Sequence, residues 1–323
     1  MPAGAWIADD GSADDDDGME NAVPMAPMDL TIPTRAGDFR ALDYGGSGPT
    51  VLALHELFIH NAASWGEFAE HLNGKARVIA LDREGHGQTG VAATPAIDIV
   101  SVLADVVEHL GCLGAEAPVL VGCGSGGWDA TLAVVAGGVT PRALLTTEAT
   151  YCVSRDEIIE YVSEFAGTDD VGGLWAELDL GWRGSAAEKD AEAAHLRSVH
   201  DSNWIVGEMR RDVWEATVER SFVEDGDGWL RQPITEAMIG LVWERIHADP
   251  CPGPEAFTKL TVPATFILAE GGLYSYFAEQ IDAMVASGAH RNLRVVPAIN
   301  NILSTHAGVM ADEVLALLER TSA

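Results

Sequence analysis

The chain has 323 residues, enough for one large α/β domain carrying an inserted subdomain. Its net charge is −31, with 50 Asp and Glu against 19 Lys and Arg, and its only lysines are Lys75, Lys189 and Lys259. This excludes the basic footprint that nucleic-acid binding requires. It holds no run of about 18 apolar residues and no basic region followed by an apolar stretch, so neither a membrane span nor a signal peptide is expected. The widely spaced Cys112, Cys123, Cys152 and Cys251 read as reduced thiols of a cytoplasmic protein.

Residues 1–28 hold Asp9, Asp10 and the run from Asp14 to Asp17 among Gly, Ala and Pro. Such a segment buries too little apolar surface to order itself, and an acidic disordered tail is expected. Beyond it, short apolar strands are predicted at 38–43, 50–54, 77–82, 118–122, 142–147, 263–268 and 292–296. They alternate with amphipathic helices at 62–72, 97–110, 126–136, 276–286 and 309–320. The alternation predicts an α/β core, residues 29–149 and 258–323, with a mostly parallel central sheet and helices on both faces. Residues 150–257 are too many for a connecting loop. Helical texture is predicted at 172–179, 186–199, 203–220 and 233–247, and from Asp156 onward, and the segment holds six tryptophans from Trp175 to Trp243. It reads as a helical cap over the carboxyl edge of the sheet, where ligands bind in open α/β folds.

Pro118 to Ala130 reads as a buried strand, a sharp turn and a helix. With Gly122 and Gly126 on the two glycines of G-x-S-x-G, Gly124 falls on the nucleophile. Val51 to His55-Glu56 is similar to a strand ending in His-Gly. Asp82-Arg83-Glu84-Gly85-His86-Gly87-Gln88-Thr89 matches D-x-x-G-x-G-x-S/T. Leu260 to Leu268 resembles the strand before a catalytic acid, and Val295 to Asn301 the loop that carries a catalytic histidine. In order, residues 30–320 resemble the α/β-hydrolase-fold superfamily, and the resemblance implies that fold with its triad positions replaced. Gly124 stands for the nucleophile, Gly271-Gly272 for the acid and Asn301 for the histidine, while Glu56 stands where the oxyanion loop has glycine.

Ester hydrolysis needs Ser, His and an acid acting as a unit, with an oxyanion hole. Glycine cannot attack, an amide is no base at neutral pH, and a carboxylate at Glu56 would repel an oxyanion. The resemblance therefore implies a pseudo-hydrolase or a repurposed, non-hydrolytic enzyme. The catalytic candidates are Glu56 and Glu148, two carboxylates at neighbouring strand ends that a pocket can split into an acid and a base. Ser125 is either a displaced nucleophile or a helix N-terminal hydroxyl, and Cys123 reads as a buried, inert thiol. His55, Leu57, Trp128, Tyr151, Tyr274 and His306 are expected to line or reach the substrate pocket, although His55 and His86 also suit a hydrogen-bonding scaffold. No metal motif and no cofactor is indicated.

Two functions remain. One is a cofactor-independent lyase, cyclase or isomerase moving protons on a small hydrophobic metabolite. The other is a non-catalytic relative that binds a ligand or a protein. Residual hydrolysis through Ser125 is a minor alternative. Dinucleotide binding is another, because Gly122 to Gly127 fits G-x-G-x-x-G and Glu148 follows 21 residues after Gly127. The expected partner is a small hydrophobic molecule, without nucleic acid or membrane, and a homodimer is left open.

Overall fold

The computed structural model describes residues 26–90, 98–149, 177–234, 254–299 and 301–322. The strands are β1 (Met28–Thr34), β2 (Gly37–Asp43), β3 (Thr50–Leu54), β4 (Arg77–Leu81), β5 (Val119–Cys123) and β6 (Ala143–Thr147), then three short cap strands, β7 (Arg183–Gly184), β8 (Phe222–Asp225) and β9 (Gly228–Arg231), and finally β10 (Ala264–Ala269) and β11 (Arg291–Val296). The main sheet runs β1-β2-β4-β3-β5-β6-β10-β11. β2 pairs antiparallel with β1 and β4, and every other neighbouring pair is parallel.

β3, β5, β6 and β10 are buried at every position, the pattern of strands covered on both faces. Their period of two divides the side chains between two cores. Leu52, Leu54 and Leu120 pack with Val102, Val106 and Phe266 on one face; Val51, Ala53, Val119 and Val121 pack with Trp65, Phe68 and Val314 on the other. The helices are α1 (Gly66–Leu72), α2 (Ile99–Cys112), α3 (Ser125–Val135), α4 (Ala186–Val199), α5 (Arg211–Arg220), α6 (Pro254–Thr258), α7 (Ala278–Ala286), α8 (Ile302–Thr305) and α9 (Ala307–Ser322). α2 begins where the Asp98 side chain accepts from the backbone of Val100 and Ser101. α9 buries Ala307, Met310, Ala311, Val314, Leu317 and Leu318, a stripe at helical spacing.

The described part of the cap is not purely helical. α4 forms where predicted, opened by a capping box between Ser185 and Glu188. The predicted helix 203–220 instead divides into a 3-10 turn at Val206–Glu208 and α5, and β8–β9 follow as a hairpin with β7 at its edge. Gly226 at φ 62° supplies the left-handed conformation that a two-residue hairpin turn needs. Leu196, Val206, Met209, Trp214 and Phe222 form a cap core that also takes in Ile59, from the loop after β3. The tail 1–25, the helix predicted from Asp156, residues 235–247 of the helix predicted at 233–247, Trp175 and Trp243 lie outside the described residues. No helix among the described residues is long and apolar enough to cross a membrane.

Candidate active site

β3 has β4 on one side and β5 on the other, so the strand order reverses here, and the carboxyl ends of β3 and β5 are where the crevice of an open α/β sheet is expected. Glu56 follows β3, Gly124 follows β5, Glu148 follows β6, Gly272 lies beyond β10 and Asn301 beyond β11.

Gly124 is the apex of the turn into α3, at φ 48° and ψ −123°, and its N–H donates to Thr147 O at 2.8 Å. Glycine takes this backbone freely where a side chain would strain it. A Cβ here would lie 2.8 Å from Glu56 Oε2 and 3.0 Å from Glu56 Cβ. The Glu56 side chain thus fills the space a nucleophile would need. The remaining glycines have packing causes: a Cβ on Gly122 would meet Gly126 O and one on Gly127 would meet Ala149 Cβ, each at 2.5 Å, and one on Gly126 would run into Leu54 O. The G-x-G-x-x-G spacing therefore follows from α3 lying directly on β3 and β5. The Glu56 carboxylate beside the α3 N-terminus would repel the pyrophosphate that a dinucleotide places there.

Ser125 Oγ accepts the Leu57 N–H at 3.0 Å and a hydrogen bond from Arg83 Nη1. Arg83 in turn pairs with Asp129 at 2.5 Å and donates to His55 O at 3.2 Å. The hydroxyl is a tie between loops. It also occupies the Leu57 N–H, which comes from the loop that supplies one oxyanion donor in working relatives. His55 is wholly buried; its Nε2 accepts from Arg83 N at 3.0 Å, so Nδ1 carries the proton and donates to Glu56 O at 2.6 Å. Burial, then the charges of His86 and Arg83, hold its pKa well below the usual range. His86 Nε2 accepts from Phe58 N at 3.2 Å. Both rings are scaffold, and His55 does not line a pocket.

Glu148 adopts φ 46°, Asn301 φ 53° and Phe58 φ 81°, left-handed backbone that costs of order 1–3 kcal/mol per residue. Such strain clusters at functional sites, and all three residues are in loops at the crevice end of the sheet. Glu148 Oε1 accepts the Ala269 N–H at 2.6 Å, while a Cβ on Gly272 would come within 2.6 Å of Oε2. Burial pushes the Glu148 pKa up to about 7; the Ala269 bond opposes the rise and the Glu56 charge adds to it. Glu148 thus fills the place beside Gly272 as Glu56 fills that beside Gly124.

His60 went unnoticed in the sequence, where a spacing of four from Glu56 along an irregular loop carries no signal. Its ring is 2% exposed with Nδ1 3.4 Å from Glu56 Oε1, and its polar neighbours among the described residues are that carboxylate and the Asn301 amide, neither in good hydrogen-bond geometry. Burial lowers its pKa, against the Glu56 charge and the adjacent Asn301 amide. Asn301 donates from Nδ2 to Ile205 O at 3.2 Å and accepts from Ser304 Oγ at 2.9 Å. Trp128 Nε1 donates to Tyr274 OH at 3.4 Å, joining two side chains packed on the core beside α3. Cys123 is fully buried, and burial pushes its thiol pKa far up, as suits an inert group. His306 pairs with Thr305 Oγ1 at 2.8 Å at the surface rather than entering the crevice. Tyr151, and the cap residues 150–176 and 235–253, lie outside the described residues.

A cleft of about 540 Å³ lies away from this crevice, between β2, α1 and α5. Its charges are already matched: Arg210 with Glu70 at 2.7 Å and Arg220 with Asp29 at 2.8 Å. We read it as the seam between cap and core. Among the described residues no group of three His, Cys, Asp or Glu is placed to hold a metal ion.

Gly124→Ser is expected to lose roughly 1–3 kcal/mol in a denaturant melt, from strained backbone and the crowding of Glu56, and to hydrolyse p-nitrophenyl acetate no faster than the parent. An active, undiminished variant would mean that the space at the apex is open.

The alpha/beta hydrolase family model matches residues 46–308. No curated protein matches the chain by sequence. Among solved structures, E-2-(acetamidomethylene)succinate hydrolase is similar with a TM-score of 0.65 at 14% identity, over 91% of this chain and 100% of that one. The thioesterase domain from the curacin biosynthetic pathway gives 0.62 at 16% identity, over 90% and 100%. An alpha/beta hydrolase from Novosphingobium aromaticivorans gives 0.60 at 19% identity, over 91% and 98%. At these identities the likeness is one of fold.

Proposed function

The chain belongs to the alpha/beta hydrolase family, and from that premise we propose a cofactor-independent enzyme that works by proton transfer rather than through an acyl-enzyme. The observation that carries this reading is Glu148, a carboxyl in left-handed backbone whose pKa burial pushes up to about 7, with the Glu56 charge adding to the rise. Two carboxyl groups in unlike surroundings, one deeply buried and one part-exposed, can supply an acid and a base. What supports it further is that the positions matched to nucleophile and base hold a glycine, Gly124, and an amide, Asn301. The substrate is a small hydrophobic molecule, and a net charge of −31 favours a neutral one over an anion. The acidic, lysine-poor chain is read as a cytoplasmic protein.

The test is mass spectrometry of a small-molecule extract of the source cells incubated with the purified protein. Loss of one metabolite and gain of a product, in particular one of equal mass, is expected, with the conversion absent in Glu56→Gln and Glu148→Gln. Enrichment of an unchanged molecule on the protein would make it a binding protein. Conversion at full rate by both variants would remove the carboxylates from the mechanism.

A further inference from the structure

His60 is the group in the crevice that structure alone does not explain. A buried imidazole whose polar neighbours among the described residues are one carboxylate at 3.4 Å and one side-chain amide is weakly satisfied, and such groups call for a reason. Its ring lies 3.4 Å from Glu56 Oε1, a distance from which a catalytic hydrogen bond tightens once substrate is bound. Glu56 is the accessible member, 28% exposed against 2% for His60. Among the described residues, Glu148 and Cys123 feel the Glu56 charge, and fully buried His55 feels His60. Asn301 is a neutral neighbour.

Resting on the proton-transfer reading above, we propose that the crevice enolises a neutral carbonyl compound, with Glu148 hydrogen-bonding the carbonyl oxygen as a carboxylic acid, Glu56 taking the proton from the adjacent carbon, and His60 acting behind Glu56 as its positioning residue. A neutral carboxyl is a donor and meets a carbonyl lone pair, which an ionised one would repel. Glu56 is turned toward the apex, and its Oε1 lies 3.4 Å from His60 Nδ1, within reach of an imidazole N–H. In the step, the C–H bond breaks and its electron pair forms the C=C bond of the enol. The carbonyl π pair moves to oxygen, which takes the Glu148 proton, and Glu56 receives the proton from carbon. Return of a proton to the same carbon gives exchange, and return to a conjugated carbon gives an isomer. No oxidant or co-reactant is consumed. An anionic carbonyl compound would meet two acidic side chains, so the class is neutral and apolar.

The probe is 2-tetralone in D₂O, with loss of its α-proton signal followed by NMR. The protein is expected to accelerate exchange at least tenfold over buffer, and Glu56→Gln and Glu148→Gln to abolish the acceleration. Glu56 is part-exposed, so its variant folds, and circular dichroism confirms that of each. In His60→Gln the rate falls and the ascending limb of its pH profile moves to higher pH, because a hydrogen bond from the imidazole favours the charged carboxylate. A merely structural role for His60 would leave that limb in place. Exchange at the buffer rate, or undiminished in Glu56→Gln, overturns the carbonyl assignment. The extract experiment still judges proton transfer itself. An unmoved limb in His60→Gln at the parent rate overturns the role of His60 alone.

Discussion

Glu148→Gln is expected to abolish turnover and, above neutral pH, to make the protein more stable than its parent. The carboxyl titrates near 4.5 when exposed and near 7 when folded, because burial disfavours its charge. Between those values the folded state keeps a proton that the unfolded chain has released. The stability contributed by the neutral form is complete below about 4.5 and is lost as pH rises through about 7. At about 1.4 kcal/mol per pH unit, the loss reaches about 3 kcal/mol by pH 8.5. Glutamine is neutral throughout and keeps an oxygen for the Ala269 N–H, so it escapes the decline. Urea unfolding at pH 5, 7 and 8.5 is expected to show a small difference at the first and about 3 kcal/mol in favour of the variant at the last. A difference independent of pH would mean the carboxyl is solvated. Loss of a general acid or base costs roughly 10²–10⁴-fold in rate. On the proton-transfer reading, Glu148, buried in left-handed backbone and costing stability at neutral pH and above, breaks the local rules where function asks it to.

The sheet was legible because strands buried on both faces are written as apolar runs: Thr50–Leu54, Val119–Cys123 and Ala264–Ala269 carry no solvent face to interrupt them. The loop Asp82 to Thr89 was legible for a steric reason, since a Cβ on Gly87 would run into the Asp82 carboxylate. Glu56 and Glu148 could be placed at strand ends from the order of elements. That each fills the space over a glycine in the turn after a different strand could not, because it depends on where side chains point across the sheet. The same limit hid His60. The cap hairpin is a different failure. Asp225-Gly226-Asp227-Gly228 between Phe222-Val223 and Trp229-Leu230 is a hairpin signal in its own right, outweighed by the helical texture on either side.

Arg220→Ala is expected to cost about 3–5 kcal/mol, the penalty for stripping a buried carboxylate of its partner. Asp82 is wholly buried; its Oδ1 accepts from Ala62 N at 2.8 Å, and its Oδ2 from Gln88 N at 3.0 Å and Arg220 Nε at 2.9 Å. The guanidinium also donates to Asp29 at 2.8 Å, and the Arg220 carbonyl accepts from Gln88 Nε2 at 2.8 Å. One side chain on α5 therefore ties the cap to β1 and to the loop after β4. Burial raises the Asp82 pKa and the Arg220 charge opposes that rise. Without Arg220 the carboxyl titrates higher still, so the deficit is largest above neutral pH and shrinks on acidification as Asp82 takes up a proton. Urea unfolding at pH 5 and pH 8 measures both the size and the sign. An exposed pair would cost no more than about 1 kcal/mol, so a loss that small would mean the cap is only loosely docked. The consequence reaches the crevice through a short path. Ala62, which donates to Asp82, follows His60 by two residues, and Asn61 between them donates to Thr217 O on α5 at 2.8 Å. A loosened α5 frees the loop that keeps His60 dry beside Glu56, so exchange activity is expected to fall in Arg220→Ala although Arg220 faces the cap seam and not the crevice.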